Sequence, residues 1–230
     1  MREYVMLNKG RRPYLVSMNR VQNGRFEGVK WQNSPSYHLS LVDIDNFTLE
    51  NFEIWVDAYQ QTQLRLQFQN FDLRLGTNLP TYALNTDGID PAGSNIVIRN
   101  LTITSYDDAV AVKPAHSNFK IAKCAENITV ENIIVYFGVG MTIGTVPPRS
   151  EVNCIRNVAF RNITFFHPFK AVYVKTNPGE SGSGIIENIL YENLKVTNPL
   201  WWGIYIGPQQ QKQPDGGGPG CMLYPLLKDC

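Results

Sequence analysis

Charge is scarce in this chain. Asp, Glu, Lys and Arg make up 18% of its 230 residues, against about 25% in soluble domains generally. The 21 basic and 20 acidic residues leave a net charge of +1. Nucleic-acid binding needs clustered excess base, so that class of partner is excluded. The same balance excludes an acidic solvating tail and a disordered chain. Long apolar runs are missing too. None approaches the ~18 residues of a membrane-spanning helix, so no membrane partner is expected. Residues 1–9 hold no apolar signal-peptide core, so no secretion address is expected within the sequence.

Histidine and cysteine are few: His38, His116 and His167, with Cys124, Cys154, Cys221 and Cys230. No Cys-x-x-Cys pair occurs, which argues against zinc, and no metal site is expected. Cys221 and Cys230 bracket a short segment. They either close a small disulfide loop or stay reduced like the other two thiols, since a bridge needs an oxidising compartment. No stretch shows sustained helical periodicity. Apolar residues nevertheless reach 43% of a 26.0 kDa chain, enough for a sizeable core.

A repeat organises that apolar content. The pattern runs Asn, apolar, any, apolar, any, Asn or Gly, apolar, any, apolar. It occupies residues 23–31, 46–54, 95–103, 127–135, 157–165 and 188–196, with Gly28 as the central residue of the first copy. Successive copies start 23, 49, 32, 30 and 31 residues apart, and residues 63–69 suggest a degenerate strand inside the long step. Within each copy apolar side chains alternate, which is strand periodicity. The central Asn or Gly tolerates a left-handed bend and splits the run into two short strands. Strand, sharp bend and strand, repeated at this period, describe the coils of a parallel β-helix. Leucine-rich repeats are disfavoured because fixed Leu positions and a helical segment are both missing. Stacked coils would align the Asn side chains in an amide ladder. Asn46, Asn100, Asn127 and Asn162 also open N-x-S/T sequons, readable either as glycosylation acceptors or as bend residues of the ladder. The expected architecture is therefore all-β: one β-helix domain over residues 1–230. It is expected to lack one or both terminal caps, because no cap pattern flanks the repeats.

Acidic residues cluster around the third copy. Asp87 lies in the N-T-D-G run of residues 85–88, and Asp107 and Asp108 follow about one coil later. Stacked strands lie about 4.8 Å apart, so the carboxylates of Asp87, Asp107 and Asp108 are expected in one patch. Crowded carboxylates cannot all ionise cheaply, so one pKa should rise. A raised acid beside an ionised base suits glycosidic cleavage. Asp107 and Asp108 are adjacent, however, and both reach one cleft only if the chain bends there. Exposed turn acids are the alternative.

Four segments taken together resemble the family 28 glycoside hydrolases, the polygalacturonases and related pectin-degrading enzymes. They are N-T-D-G at 85–88, D-D at 107–108, G-V-G-M-T-I-G-T at 138–145 and Y-V-K-T at 173–176. Order and surrounding repeats match from about Arg12 to Gln211. The resemblance implies a right-handed parallel β-helix, a pectin lyase-like solenoid. It implies extracellular hydrolysis of α-1,4-linked galacturonate with inversion, by a monomer needing no cofactor. It casts Asp107 as general acid and Asp87 with Asp108 as the pair that activates water, at the ~6.5–9.5 Å spacing of an inverting site. Lys175 matches the lysine that binds the substrate carboxylate, and Asn85 belongs to the same motif set.

The chain departs from the family pattern in places. Val139 replaces the histidine of a G-H-G motif, and Tyr173 replaces the arginine of R-I-K. Gln209 and Gln210 fall where the family carries a later tyrosine. Tyr173, Gln209 and Gln210 are thus candidate contacts to a pectin-type polysaccharide. Trp201 and Trp202 either stack on sugar or pack the coils. The competing functions are a non-catalytic polysaccharide-binding β-helix, suggested by the lost histidine and arginine, and a calcium-dependent pectate lyase.

Overall fold

The computed structural model describes residues 12–57, 85–147, 152–176 and 183–208. The expected strand at 63–69, Gln209, Gln210, Cys221 and Cys230 lie outside these residues. The described chain forms strands and turns with no helix: β1 (Val16–Asn19), β2 (Gln22–Glu27), β3 (Lys30–Gln32), β4 (Leu39–Trp55), β5 (Ile89–Val112), β6 (Ala125–Val146), β7 (Val152–Phe166), β8 (Pro168–Thr176), β9 (Ser183–Thr197) and β10 (Ile204–Pro208). Every ladder between these strands is parallel. The long strands bend at asparagine, so each covers more than one side of the coil.

The bends follow the repeat. Asn46, Asn95, Asn127, Asn157 and Asn188 stand at the first bend, and Asn51, Asn100, Asn132, Asn162 and Asn193 at the second, all with φ between 53° and 58°. Few non-glycine residues tolerate that left-handed geometry; Asn does because its short amide bonds locally. The second set stacks into a ladder: Asn100 Nδ2 donates to Asn51 Oδ1 at 3.1 Å, Asn132 to Asn100 at 3.2 Å, Asn162 to Asn132 at 3.3 Å and Asn193 to Asn162 at 3.2 Å. The first set includes Asn46 to Asn23 at 2.7 Å and Asn127 to Asn95 at 3.1 Å. All four sequon asparagines thus spend the nitrogen that would carry a glycan on the coil beneath. The ladder accounts for them.

Alternation points one face of each strand inward. The pairs Ile54↔Ile103, Ile103↔Val135 and Val135↔Phe165 place like residues on successive coils, and all four are buried at 0% exposure. A second stack runs through Phe47, Ile96, Ile128 and Val158. No single coil could shield these side chains, so the apolar gain arises between coils. Cys124 and Cys154 form a disulfide across 30 residues of sequence. The sequence leaves the pairing open, and the bridge decides it for these two cysteines. The two meet because Ala115 bridges to Cys154, which brings the loop after β5 against β7.

Candidate functional site

The three acids meet on one side of the solenoid. Gly88 N donates to Asp108 O at 2.9 Å, and Tyr106 N donates to Thr86 Oγ1 at 3.0 Å. These bonds stitch the turn that carries Asp87 to the turn that carries Asp107 and Asp108. The bend needed to aim two adjacent aspartates into one patch is a bulge. Pairing of β5 with β6 slips between Ile103 and Thr104 and again before Asp108. Within the bulge Ser105 Oγ donates to Asp107 O at 2.9 Å. Gly138 on β6 faces it with φ +113°, and a Cβ there would stand 2.7 Å from Ser105 O and 2.8 Å from Asp107 O. The first glycine of the G-V-G run thus lets β6 approach the bulge.

The carboxylates are buried, and one oxygen from each lies within 4.8 Å of the others. Two backbone amides hold the Asp107 carboxylate in place: Asn85 N donates to Asp107 Oδ2 at 3.0 Å and Asp108 N to Asp107 Oδ1 at 2.9 Å.

Environment splits the three. Burial raises the Asp87 pKa well above the ordinary carboxylate value, reinforced by Asp107, Asp90 and Asp108. Burial and Asp108 also raise Asp107, against the pull of Lys175 and the Asn85 amide. Asp108 goes the other way. Burial pushes it up, but Lys175 and Lys113 outweigh that, with Lys175 Nζ at 2.7 Å and the Thr142 hydroxyl donating to Oδ1. Two pKa values rise rather than the one expected. Asp87 and Asp107 thus hold a proton to higher pH than Asp108 does, and the three titrate as a unit. Lys175 already occupies the cation position against Asp108.

Other predicted residues sort by place. Asn85 supplies its backbone amide to Asp107, and its Oδ1 accepts from Arg12 at 3.2 Å. Tyr173 and Lys175 are both buried, and Lys175 Nζ stands 4.7 Å from the Tyr173 ring centroid. Trp201 packs edge-on against Phe169, while Trp202 is 47% exposed. The sequence reading missed several members. Asp90 ion-pairs with Lys113 at 3.3 Å, and burial lifts its pKa to about 6. His38 Nδ1 and backbone N both meet Asp87 O, and burial keeps the imidazole neutral. Lys170 is buried beside Tyr173, Trp201 and Tyr205. The signal for Asp90 was its place three residues after Asp87 in the same N-T-D-G-I-D run. His38 and Arg12 carry no local motif, and only coil stacking brings them near.

Comparison with known proteins gives a consistent answer. The model of "Glycosyl hydrolases family 28" matches residues 5–219. An exopolygalacturonase of Cochliobolus carbonum is 25% identical over 200 residues, covering 81% of this chain and 39% of that protein. An endo-polygalacturonase of Pectobacterium carotovorum subsp. carotovorum is 28% identical over 187 residues, covering 81% of this chain and 38% of that one. Among solved structures, the polygalacturonase from Erwinia carotovora ssp. carotovora superposes with a TM-score of 0.62 at 24% identity, over 85% of this chain and 44% of that chain. They share the fold, a right-handed parallel β-helix. The chain spans 39% and 38% of the lengths of the two curated relatives.

Proposed function

The chain belongs to glycosyl hydrolase family 28, and we propose that it is an extracellular hydrolase of α-1,4-galacturonosyl linkages in pectin-type polysaccharide. The observation that carries this reading is the buried trio itself, with one oxygen of each carboxylate within 4.8 Å of the others and Lys175 Nζ 2.7 Å from Asp108. In the proposed cycle Asp107 gives its proton to the glycosidic oxygen as the C–O bond breaks. Asp108, ionised against Lys175, takes a proton from the attacking water with Asp87 beside it. Among the described residues the buried Asp87 Oδ1 meets no hydrogen-bond donor, which leaves it open to that water. Acid and base then exchange protons through solvent to reset. No cofactor enters this scheme, and one β-helix domain acts as a monomer. The Cys124–Cys154 bridge fits an oxidising, extracellular setting.

The test is reducing-end release from polygalacturonate and from branched pectin, with Asp107→Asn as control and circular dichroism to verify folding. Release lost only in the variant supports the hydrolase. Proton NMR of the first product reads the stereochemistry: the direct water attack of this cycle delivers the β-anomer, and an α-anomer would refute it. A second reading is a polysaccharide-binding β-helix without turnover, favoured by Val139 and Tyr173 standing in for the family histidine and arginine. It predicts saccharide binding indifferent to Asp107→Asn. Unchanged activity under a calcium chelator removes the lyase alternative.

A further inference from the structure

One buried cation near the trio has no anion. Lys170 is 1% exposed, among the most buried side chains of the chain. Among the described residues no carboxylate comes within ion-pair distance of it, whereas Lys175 and Lys113 are each paired with an aspartate. Its Nζ instead lies 4.1 Å from the Tyr173 ring centroid, 5.3 Å from Trp201 and 5.7 Å from Tyr205. Register puts it on the site side of the solenoid: Asp108 pairs with Val139, and Val139 pairs with Lys170. Lys170 is thus two rungs from Asp108, close enough for Asp107 and Asp108 to favour its charged form.

A desolvated ammonium among rings is held by cation–π attraction, but its full electrostatic complement is an anion. The described residues supply none. Tyr173 has also displaced the arginine expected at its position, and the other lysine of that strand is committed to Asp108. We infer that Lys170 is the carboxylate-recognising cation of the site, binding the uronate group of a sugar seated against Tyr173, Trp201 and Tyr205. This rests on the pectin reading above but does not require turnover. It assigns to β8 a relocated cation in place of a lost one.

Binding of trigalacturonate and of its methyl ester separates the possibilities, measured calorimetrically on the full chain carrying Asp107→Asn, so that hydrolysis does not interfere. The parent should prefer the free acid. Lys170→Met, close in volume and apolar, should weaken the free acid by at least about tenfold, the loss typical of removing one partner of a buried charge pair. It should leave the ester within about threefold, and Lys170→Arg should restore the preference. A parent that binds acid and ester alike overturns the inference, as does Lys170→Met binding both as tightly as the parent. If Lys170→Met fails to fold, the comparison passes to Lys170→Gln and Lys170→Arg, where equal preference again overturns it. Acid-selective, Lys170-dependent binding with no hydrolysis by the unsubstituted chain would uphold the inference while defeating the hydrolase reading.

Discussion

Gly138→Ala tests whether the bulge at Asp107 depends on close approach of β6. A non-glycine residue at φ +113° is strained by about 1–3 kcal/mol. The added Cβ would sit 2.7 Å from Ser105 O and 2.8 Å from Asp107 O, about half an ångström inside the ~3.3 Å of an ordinary C···O contact. Relieving such overlap costs a further ~1–3 kcal/mol. Both obstructing atoms are backbone, so relief must move the bulge, and the Asp107 carboxylate moves with it. A 1 Å misplacement costs about 10²-fold in rate, so half of that predicts a loss near tenfold. Urea unfolding should show a destabilisation of about 2–6 kcal/mol, and kcat on polygalacturonate should fall about tenfold. Gly203→Ala is the control, since nothing lies within 4 Å of its Cβ position. A Gly138→Ala chain that unfolds and turns over like the control would refute the argument.

Replacing Cys154 with Ser opens a bridge spanning 30 residues. The chain-entropy model gives about 3.5 kcal/mol for such a loop, read as a lower urea midpoint that added reductant reproduces in the parent. Asn132→Ala removes one ladder donor, one acceptor and a residue suited to φ 56°. A loss of about 1–2 kcal/mol is expected, with Asn132→Asp recovering only the acceptor, and unchanged melting would dismiss the ladder as a stabiliser. Asp87 has a folded-state pKa above its unfolded value, so the folded chain binds the extra proton and loses stability as pH rises through that window. Asp87→Asn should therefore melt higher than the parent at pH 7, the gap closing as pH falls below about 4, while abolishing hydrolysis. Asp108 has the opposite sign: its contribution is present above its unfolded value and disappears as pH falls through the lowered folded one.

Much of the fold was legible because a solenoid repeats its own instructions. Asn at two fixed offsets and alternating Ile, Val and Phe between them specify bend and face locally, and stacking follows from the period. The acids were legible for the same reason: Asp87 and Asp107 lie about one coil apart in sequence, and coils stack. Contacts that join unlike positions escaped this reading. The Cys124–Cys154 bridge forms where the loop of residues 113–124 folds back on β7, outside the repeat. Arg12 reaches Asn85 across 73 residues. The direction of each carboxylate's pKa was equally hidden. It depends on which aspartate receives Lys175, and nothing in the neighbouring residues Asp107 and Asp108 distinguishes them.

Three lysines stand against the cluster that reads in sequence as acidic. The raised values of Asp87 and Asp107 weaken their share of the negative charge and leave it mainly on Asp108 and, above about pH 6, on Asp90. Against them stand Lys113 and Lys175, both held protonated by those carboxylates, and Lys170, whose pKa burial pulls down only to about 8. Lowering the pH protonates the raised acids before Asp108 and leaves the lysines charged, so the site grows more positive in mildly acidic solution although the chain as a whole is nearly neutral. Low-dielectric walls would focus that field on an approaching polyanion. The attraction should be screened by salt over about 10 Å at 0.1 M. KM for polygalacturonate should accordingly rise with ionic strength while that for a fully methyl-esterified polymer stays flat. Equal salt dependence for the two polymers would refute a positive field at the site.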